Sequence, residues 1–140
     1  MNQPIRIADL PGLVEGAHAN VGMGHKFLRH IERTHLLLFV VDIGGFQLSV
    51  KHPRREAWEA ICLLIDELEA YQPGLSQRPA VLAINKMDTE CAHDKLEVLK
   101  EHLCTTNLEF QGVVPISALH KVGIDDLRTK LASLLLRDAT

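Results

Sequence analysis

The chain has 140 residues, 46% of them hydrophobic and 24% charged, a balance that fits one soluble domain with a single core. Its formal net charge of -3 argues against a basic nucleic-acid-binding domain, and no basic face is evident. The sequence contains no apolar stretch long enough for a membrane span, no targeting signal, and no C-x-x-C among its three cysteines, which favours reduced thiols over disulfides or a zinc site.

Short apolar runs alternate with longer amphipathic stretches along the whole chain. In order, the patterns predict a strand at 5–8, a helix at 24–33, a strand at 35–41, a helix at 53–71, a strand at 79–84, a helix at 91–103, a strand at 113–116 and a helix at 123–136. This βαβαβαβα order predicts an α/β fold, a parallel sheet with flanking helices. In such a fold, ligands bind beyond the carboxyl ends of the strands.

The most informative motif is N-K-x-D at 85–88, directly after a predicted buried strand. The Asp88 carboxylate can accept two parallel hydrogen bonds from guanine N1–H and the exocyclic amino group, whereas adenine offers no such pair. A buried charge left unpaired costs about 1–3 kcal/mol or more, so the motif selects one base. We expect Asn85 to brace the loop and the aliphatic stem of Lys86 to lie across the ring. The alternative is an Asx turn before the helix that begins at Cys91.

Two shorter motifs also follow predicted strands. Asp9 and Gly12 form D-x-x-G, in which the carboxylate can hold Mg²⁺ through water and the glycine N–H can approach a terminal phosphate. Ser117 and Ala118 are small residues whose backbone N–H groups could reach guanine O6. Each motif alone is also consistent with an ordinary turn or loop.

The three motifs, in this order and spacing, resemble the third, fourth and fifth signature motifs of translation-factor-like P-loop GTPases. Residues 7–18, IADLPGLVEGAH, and residues 22–33, GMGHKFLRHIER, are similar to the switch II region of the Obg family. The apolar strand that ends in Val-Val-Asp at 40–42 fits the same family. The resemblance covers essentially the whole chain, and its switch II part is highly specific.

The resemblance implies a guanine nucleotide, GTP or GDP, and Mg²⁺ as cofactors. Asp9 would be a Mg²⁺ ligand through water, and Gly12 would sense the γ-phosphate. The residues implied to read guanine are Asn85, Lys86 and Asp88, with help from Ser117 and Ala118.

Leu13 occupies the place after D-x-x-G where Ras-like enzymes keep a water-orienting glutamine. A leucine cannot polarise water, so the resemblance implies a slow GTPase in which another group, a cation or the ribosome orients the water. No catalytic residue is assigned. His18 and His25 could approach the phosphates, and the alternative for both is solvent-facing polarity.

The phosphate-binding motif G-x-x-x-x-G-K followed by Ser or Thr does not occur in the sequence, and neither does a switch I threonine segment. The resemblance therefore implies that residues 1–140 are the C-terminal portion of an Obg-type G domain, lacking the P-loop strand and switch I. We expect a fragment of a longer GTP hydrolase that is inactive alone.

Obg-family proteins are slow GTPases of ribosomal large-subunit assembly, and one branch is associated with the mitochondrial ribosome. The resemblance thus implies a large-subunit partner and a mitochondrial location, with the nucleolus as the alternative. Two other classes stay open: a truncated, non-enzymatic interaction module, and a dinucleotide-binding α/β domain. The second is the weaker alternative because no strand is followed by G-x-G-x-x-G.

Overall fold

The computed structural model describes residues 5–7, 34–47, 50–51, 53–106 and 108–138. The elements in these ranges are β1 (Leu37–Asp42), α1 (Ala57–Tyr71), a 3-10 turn (Leu75–Gln77), β2 (Ala80–Asn85), α2 (Ala92–Thr105), β3 (Gly112–Pro115) and α3 (Ile124–Asp138). Each of the three strands and three α-helices overlaps a predicted element. Within the described ranges, no helix has the length and apolar character needed to cross a membrane.

The three strands form a parallel sheet in the order β1-β2-β3. The central strand β2 has a run of buried residues, and four of them, at 81–84, have no exposed surface. A strand buried on both faces carries an unbroken apolar run instead of alternating residues. The predicted α/β architecture, a parallel sheet with flanking helices, is confirmed.

Helices cover both faces of this sheet. Helices α1 and α2 pack on one face, where Leu82 and Ile84 of β2 join a cluster with Ile61 and Leu96. Helix α3 packs on the other face, where Leu131 and its neighbours contact Val81. Alternate residues of β2 thus point into separate cores, which fixes the strand between two layers of helices.

Helix α1 begins later than the sequence predicts. Pro53 was expected to open the helix, yet the backbone of Arg55 pairs with Phe46 through two hydrogen bonds of 2.7 and 2.9 Å. This pairing requires extended backbone, so the helix starts only at Ala57. The Glu59 side chain accepts the N–H of Glu56, the residue that precedes the helix. A contact between distant residues overrides the local preference for a helical first turn.

The strand predicted at 5–8 is not formed over its described residues 5–7. A strand needs a hydrogen-bonded neighbour, and the ladders in the described ranges join only β1, β2 and β3. Ile5 instead packs against the apolar cluster beneath α3. The helix predicted at 24–33 lies outside the described residues.

The carboxyl ends of the three strands meet at one edge of the sheet. Asp42 at the end of β1 pairs with Asn85 at the end of β2, and Ile84 pairs with Pro115 at the end of β3. Side chains that follow different strands are therefore brought within reach of each other at this edge.

Candidate functional site

The N-K-x-D loop and the S-A-x loop are bonded directly to each other. Asn85 Oδ1 accepts the backbone N–H of Ala118 at 3.0 Å, across 33 positions of the chain. The Met87 N–H donates to the Ile116 carbonyl at 3.1 Å. The structure thus places two of the predicted motifs side by side, joined by the Asn85 side chain.

Asp88 is oriented by the buried hydroxyl of Ser117. The Ser117 Oγ donates to Asp88 Oδ1 at 2.7 Å, and Ser117 is only 3% exposed. This hydrogen bond is the main cause that lowers the pKa of Asp88, and His120 and Lys86 add a weaker attraction. The other oxygen, Oδ2, lies 3.8 Å from His120 Nε2. Asp88 therefore presents a fixed, negatively charged acceptor at the edge of the sheet.

The loop that carries Ser117 is closed by a short backbone bridge. Ser117 and Val122 exchange two hydrogen bonds of 2.9 and 3.0 Å. The chain then turns at Gly123, where φ is +77° and an added Cβ would lie 2.5 Å from the Pro115 carbonyl oxygen. Only glycine fits such a close approach in this left-handed conformation. The turn holds Ser117 in place against Asp88.

The backbone donors of this loop differ from the sequence-based expectation. The N–H groups of Ser117 and Ala118 were expected to reach guanine O6, but both donate within the protein, to Val122 and Asn85. The next N–H, that of Leu119, has no hydrogen-bond partner among the described residues. The Leu119 N–H is thus a backbone donor of this loop that no described residue uses. Sequence patterns carry no signal for it, because donor availability depends on the folded path of the loop.

Lys86 is held by a carboxylate from the neighbouring strand. Its Nζ lies 2.8 Å from Asp42 Oδ2, and this contact is the main cause that raises the pKa of Lys86. The backbone of Lys86 is left-handed, with φ at 68°, and its carbonyl accepts the Thr89 hydroxyl at 2.6 Å. Sequence reasoning missed the role of Asp42. The available signal was an acidic residue that ends an apolar strand, as Asn85 ends the next one.

Asp9 and Gly12, predicted to serve Mg²⁺ and the γ-phosphate, lie outside the described ranges. So do Leu13, which occupies the place of a water-orienting glutamine, and the histidines His18 and His25. Near the strand edge, the described carboxylates of Asp42 and Asp88 already pair with Lys86 and Ser117. Within the described ranges, no group of three or more metal-binding side chains comes together. The groups that do converge at this edge are the hydrogen-bonding side chains of Asn85, Asp88 and Ser117.

A groove of about 340 Å³ lies between α1 and α2. One wall is a stack of Trp58 on His102, with ring centroids 5.4 Å apart and planes inclined by 7°. None of the lining residues belongs to the N-K-x-D or S-A-x motif. The convergent polar groups, and not this groove, mark the candidate site.

A parallel α/β sheet with N-K-x-D after its middle strand and S-A-x after the neighbouring strand is the arrangement of a GTPase domain. The comparison with protein families agrees, because residues 1–86 match the family described as 50S ribosome-binding GTPase.

Curated relatives point in the same direction. GTP-binding protein 10 of Bos taurus is 54% identical, over 89% of this chain and 36% of the relative. GTP-binding protein 10 homolog of Drosophila melanogaster is 49% identical, over 95% of this chain and 39% of the relative. GTPase Obg of Bacillus mycoides is 42% identical, over 96% of this chain and 29% of the relative. The chain belongs to the 50S ribosome-binding GTPase family, as an Obg-family GTPase, and it spans less than two fifths of the length of these relatives.

Proposed function

We propose that the chain supplies the guanine-recognition half of an Obg-family GTPase. The observation that carries this proposal is the Asp88 carboxylate, held at the end of β2 by the Ser117 hydroxyl at 2.7 Å. A charged acceptor that is already oriented binds a complementary pair of donors without first losing conformational freedom. Guanine N1–H and its amino group are such a pair.

Asn85, Lys86 and the S-A-x loop complete the proposed base site. Asn85 braces the base-binding loop through Ala118, and the stem of Lys86 covers the plane of the base. Guanine O6 is read by a backbone N–H of the S-A-x loop, for which the Leu119 N–H is the available donor. An adenine base would place its own amino group where this loop offers a donor, so binding would be weaker.

The phosphate half is proposed from the sequence alone. Asp9 would hold Mg²⁺ through water and Gly12 would contact the γ-phosphate, while a lysine-containing phosphate loop does not occur in these residues. Preorganised positive charge around the phosphates supplies most of the rate of such enzymes. We expect no GTP hydrolysis by the isolated chain, and slow hydrolysis by a protein that contains both halves, because Leu13 cannot orient water.

The cellular role that we propose is assembly of the ribosomal large subunit, in the mitochondrion, with the nucleolus as the alternative. The family description, 50S ribosome-binding GTPase, supports a ribosomal partner. The mitochondrial location rests on the resemblance to the branch of the Obg family that is associated with the mitochondrial ribosome.

The base-recognition proposal is tested by nuclear magnetic resonance titration of the ¹⁵N-labelled chain with GDP and ADP. We expect amide shifts at Asn85, Asp88 and Leu119 with GDP and not with ADP. In Asp88→Asn the preference should move from GDP to XDP, because an amide can donate to the additional oxygen of xanthine. Asp66→Asn, an exposed carboxylate on α1, is the matched control and should keep the preference for GDP. Equal responses to GDP and ADP would overturn the assignment.

A second measurement tests the division into two halves. Purified chain and GTP should give no phosphate release above that of buffer. Turnover that disappears in Asp9→Ala would contradict the proposal that the phosphate half is lacking. A stable chain that ignores all nucleotides but is retained on purified large ribosomal subunits would instead favour the non-enzymatic interaction module.

A further inference from the structure

The carboxylate of Asp42 joins two loops at the edge of the sheet. Its Oδ1 accepts the Gly44 N–H at 2.8 Å, and its Oδ2 lies 2.8 Å from the Nζ of Lys86. Both oxygens of one side chain are therefore used, one by the β1–α1 connection and one by the N-K-x-D loop. Charge-assisted contacts of this length are the stronger class of hydrogen bond.

The backbone strengthens the same connection. Asp42 stands directly opposite Asn85 in the ladder, and the Ile43 N–H donates to the Asn85 carbonyl at 3.0 Å. On its other side, Asn85 accepts the Ala118 N–H. The start of the base-binding loop is thus held from both neighbouring strands, and Asp42 is the side chain that acts from the β1 side.

Lys86 needs such support because its backbone is left-handed, with φ at 68°, a conformation that residues with a side chain rarely adopt. The Lys86 side chain is 58% exposed, so without a partner it would sample many rotamers. A partner on β1 restricts the direction of its stem.

We propose that Asp42 is a positioning residue of the guanine site, which holds the Lys86 ammonium so that the aliphatic stem stays in place as one wall of the base pocket. This inference rests on the proposed function of the N-K-x-D loop. Asp42 itself does not touch the base; it acts through Lys86. The result is a pocket wall that is already ordered before the nucleotide arrives, which reduces the entropy lost on binding.

Asp42→Asn tests the role, because asparagine keeps the shape and the acceptor for the Gly44 N–H but loses the charge. We expect GDP affinity of the chain to fall about threefold to tenfold, the effect of leaving one long side chain to be ordered on binding. Asp42→Glu, which keeps the charge, should recover part of the affinity. Asp66→Asn on α1 is the control and should bind as wild type does.

Two readouts separate positioning from a general structural role. The pKa of Lys86, followed by the ¹³Cε shift, should fall in Asp42→Asn, because the carboxylate that raises it is gone. In a Lys86→Met background, Asp42→Asn should cause no further loss of GDP affinity, since the two residues act as one unit.

The outcomes distinguish the two proposals. Wild-type affinity in Asp42→Asn, or an added loss in the Lys86→Met background, would overturn the role of Asp42 and leave guanine recognition standing. A wild-type chain that responds equally to GDP and ADP would overturn the proposed function and this inference with it, even if the pKa of Lys86 still depends on Asp42.

Discussion

The hydroxyl of Ser117 and the carboxylate of Asp88 meet at 2.7 Å although 29 positions separate them in the chain. Ser117 is buried and also accepts the His120 N–H at 3.3 Å, so its orientation is fixed from two sides. The contact fixes the direction of the Asp88 carboxylate and lowers its pKa.

Ser117→Ala should raise the pKa of Asp88, because the hydrogen bond that lowers it most is removed. GDP affinity at neutral pH should fall roughly tenfold through lost orientation, since Asp88 stays ionised there. On acidification, guanine binding should disappear at a higher pH than in wild type. The measurements are the carboxyl ¹³C titration of Asp88 and GDP titrations at several pH values. Ser133→Ala, on the exposed side of α3, is the control and should change neither the pKa of Asp88 nor the GDP affinity.

Gly123→Ala should destabilise the chain strongly. A left-handed residue with a side chain costs about 1–2 kcal/mol, and the new Cβ would also lie 2.5 Å from the Pro115 carbonyl oxygen. Gly74→Ala is a matched control, because φ is +89° there and no atom lies within 4 Å of an added Cβ. Each variant's loss of free energy of unfolding is measured in urea. The loss in Gly123→Ala minus the loss in Gly74→Ala gives the cost of the clash, because both positions are left-handed. Equal losses would contradict the close approach at Gly123.

Glu69→Gln should weaken the acid sensitivity of folding. Glu69 accepts the N–H groups of Gly74 and Ser76 at 3.0 and 2.9 Å, together with the Ser76 hydroxyl, and these bonds lower its pKa. A lowered pKa in the folded state contributes stability above the ordinary glutamate range of about 4.3, and this is lost as pH falls through the folded value. The measurement is the free energy of unfolding in urea at neutral pH and at low pH, which should differ less in Glu69→Gln than in wild type. Glu97→Gln, exposed on α2, should keep the acid dependence of wild type.

Leu82→Ala should cost about 2–5 kcal/mol, because Leu82 has no exposed surface and its removal leaves a cavity beneath α1 and α2. Val40→Ala in the neighbouring strand is the control. Val40 is 57% exposed, and its truncation should change the free energy of unfolding by less than about 0.5 kcal/mol. Similar losses for both variants would mean that β2 is not the centre of the core.

Local patterns in the sequence predicted most of the strands and helices that the structure describes. The run at 81–84 predicts a strand buried on both faces, and the structure confirms it. The spacing of apolar residues placed α2 and α3 to within one residue at their first positions and two at their last. Periodicity succeeds here because burial on a sheet or a helix face repeats at intervals that neighbouring residues reveal. The helix start predicted at Pro53 was wrong, because the preference of proline for a first helical turn is weaker than the pairing of Phe46 with Arg55.

By itself, the sequence determined the order of the elements from β1 to α3, the parallel α/β class and the residue types that suit a guanine base, because these depend on local composition and on motif spacing. Only the tertiary structure decided how the groups of the site meet. The Ser117–Asp88 and Asp42–Lys86 contacts, and the availability of the Leu119 N–H, depend on strand register and loop path. Register joins residues that are distant in the chain, and single-sequence patterns carry no record of such pairings.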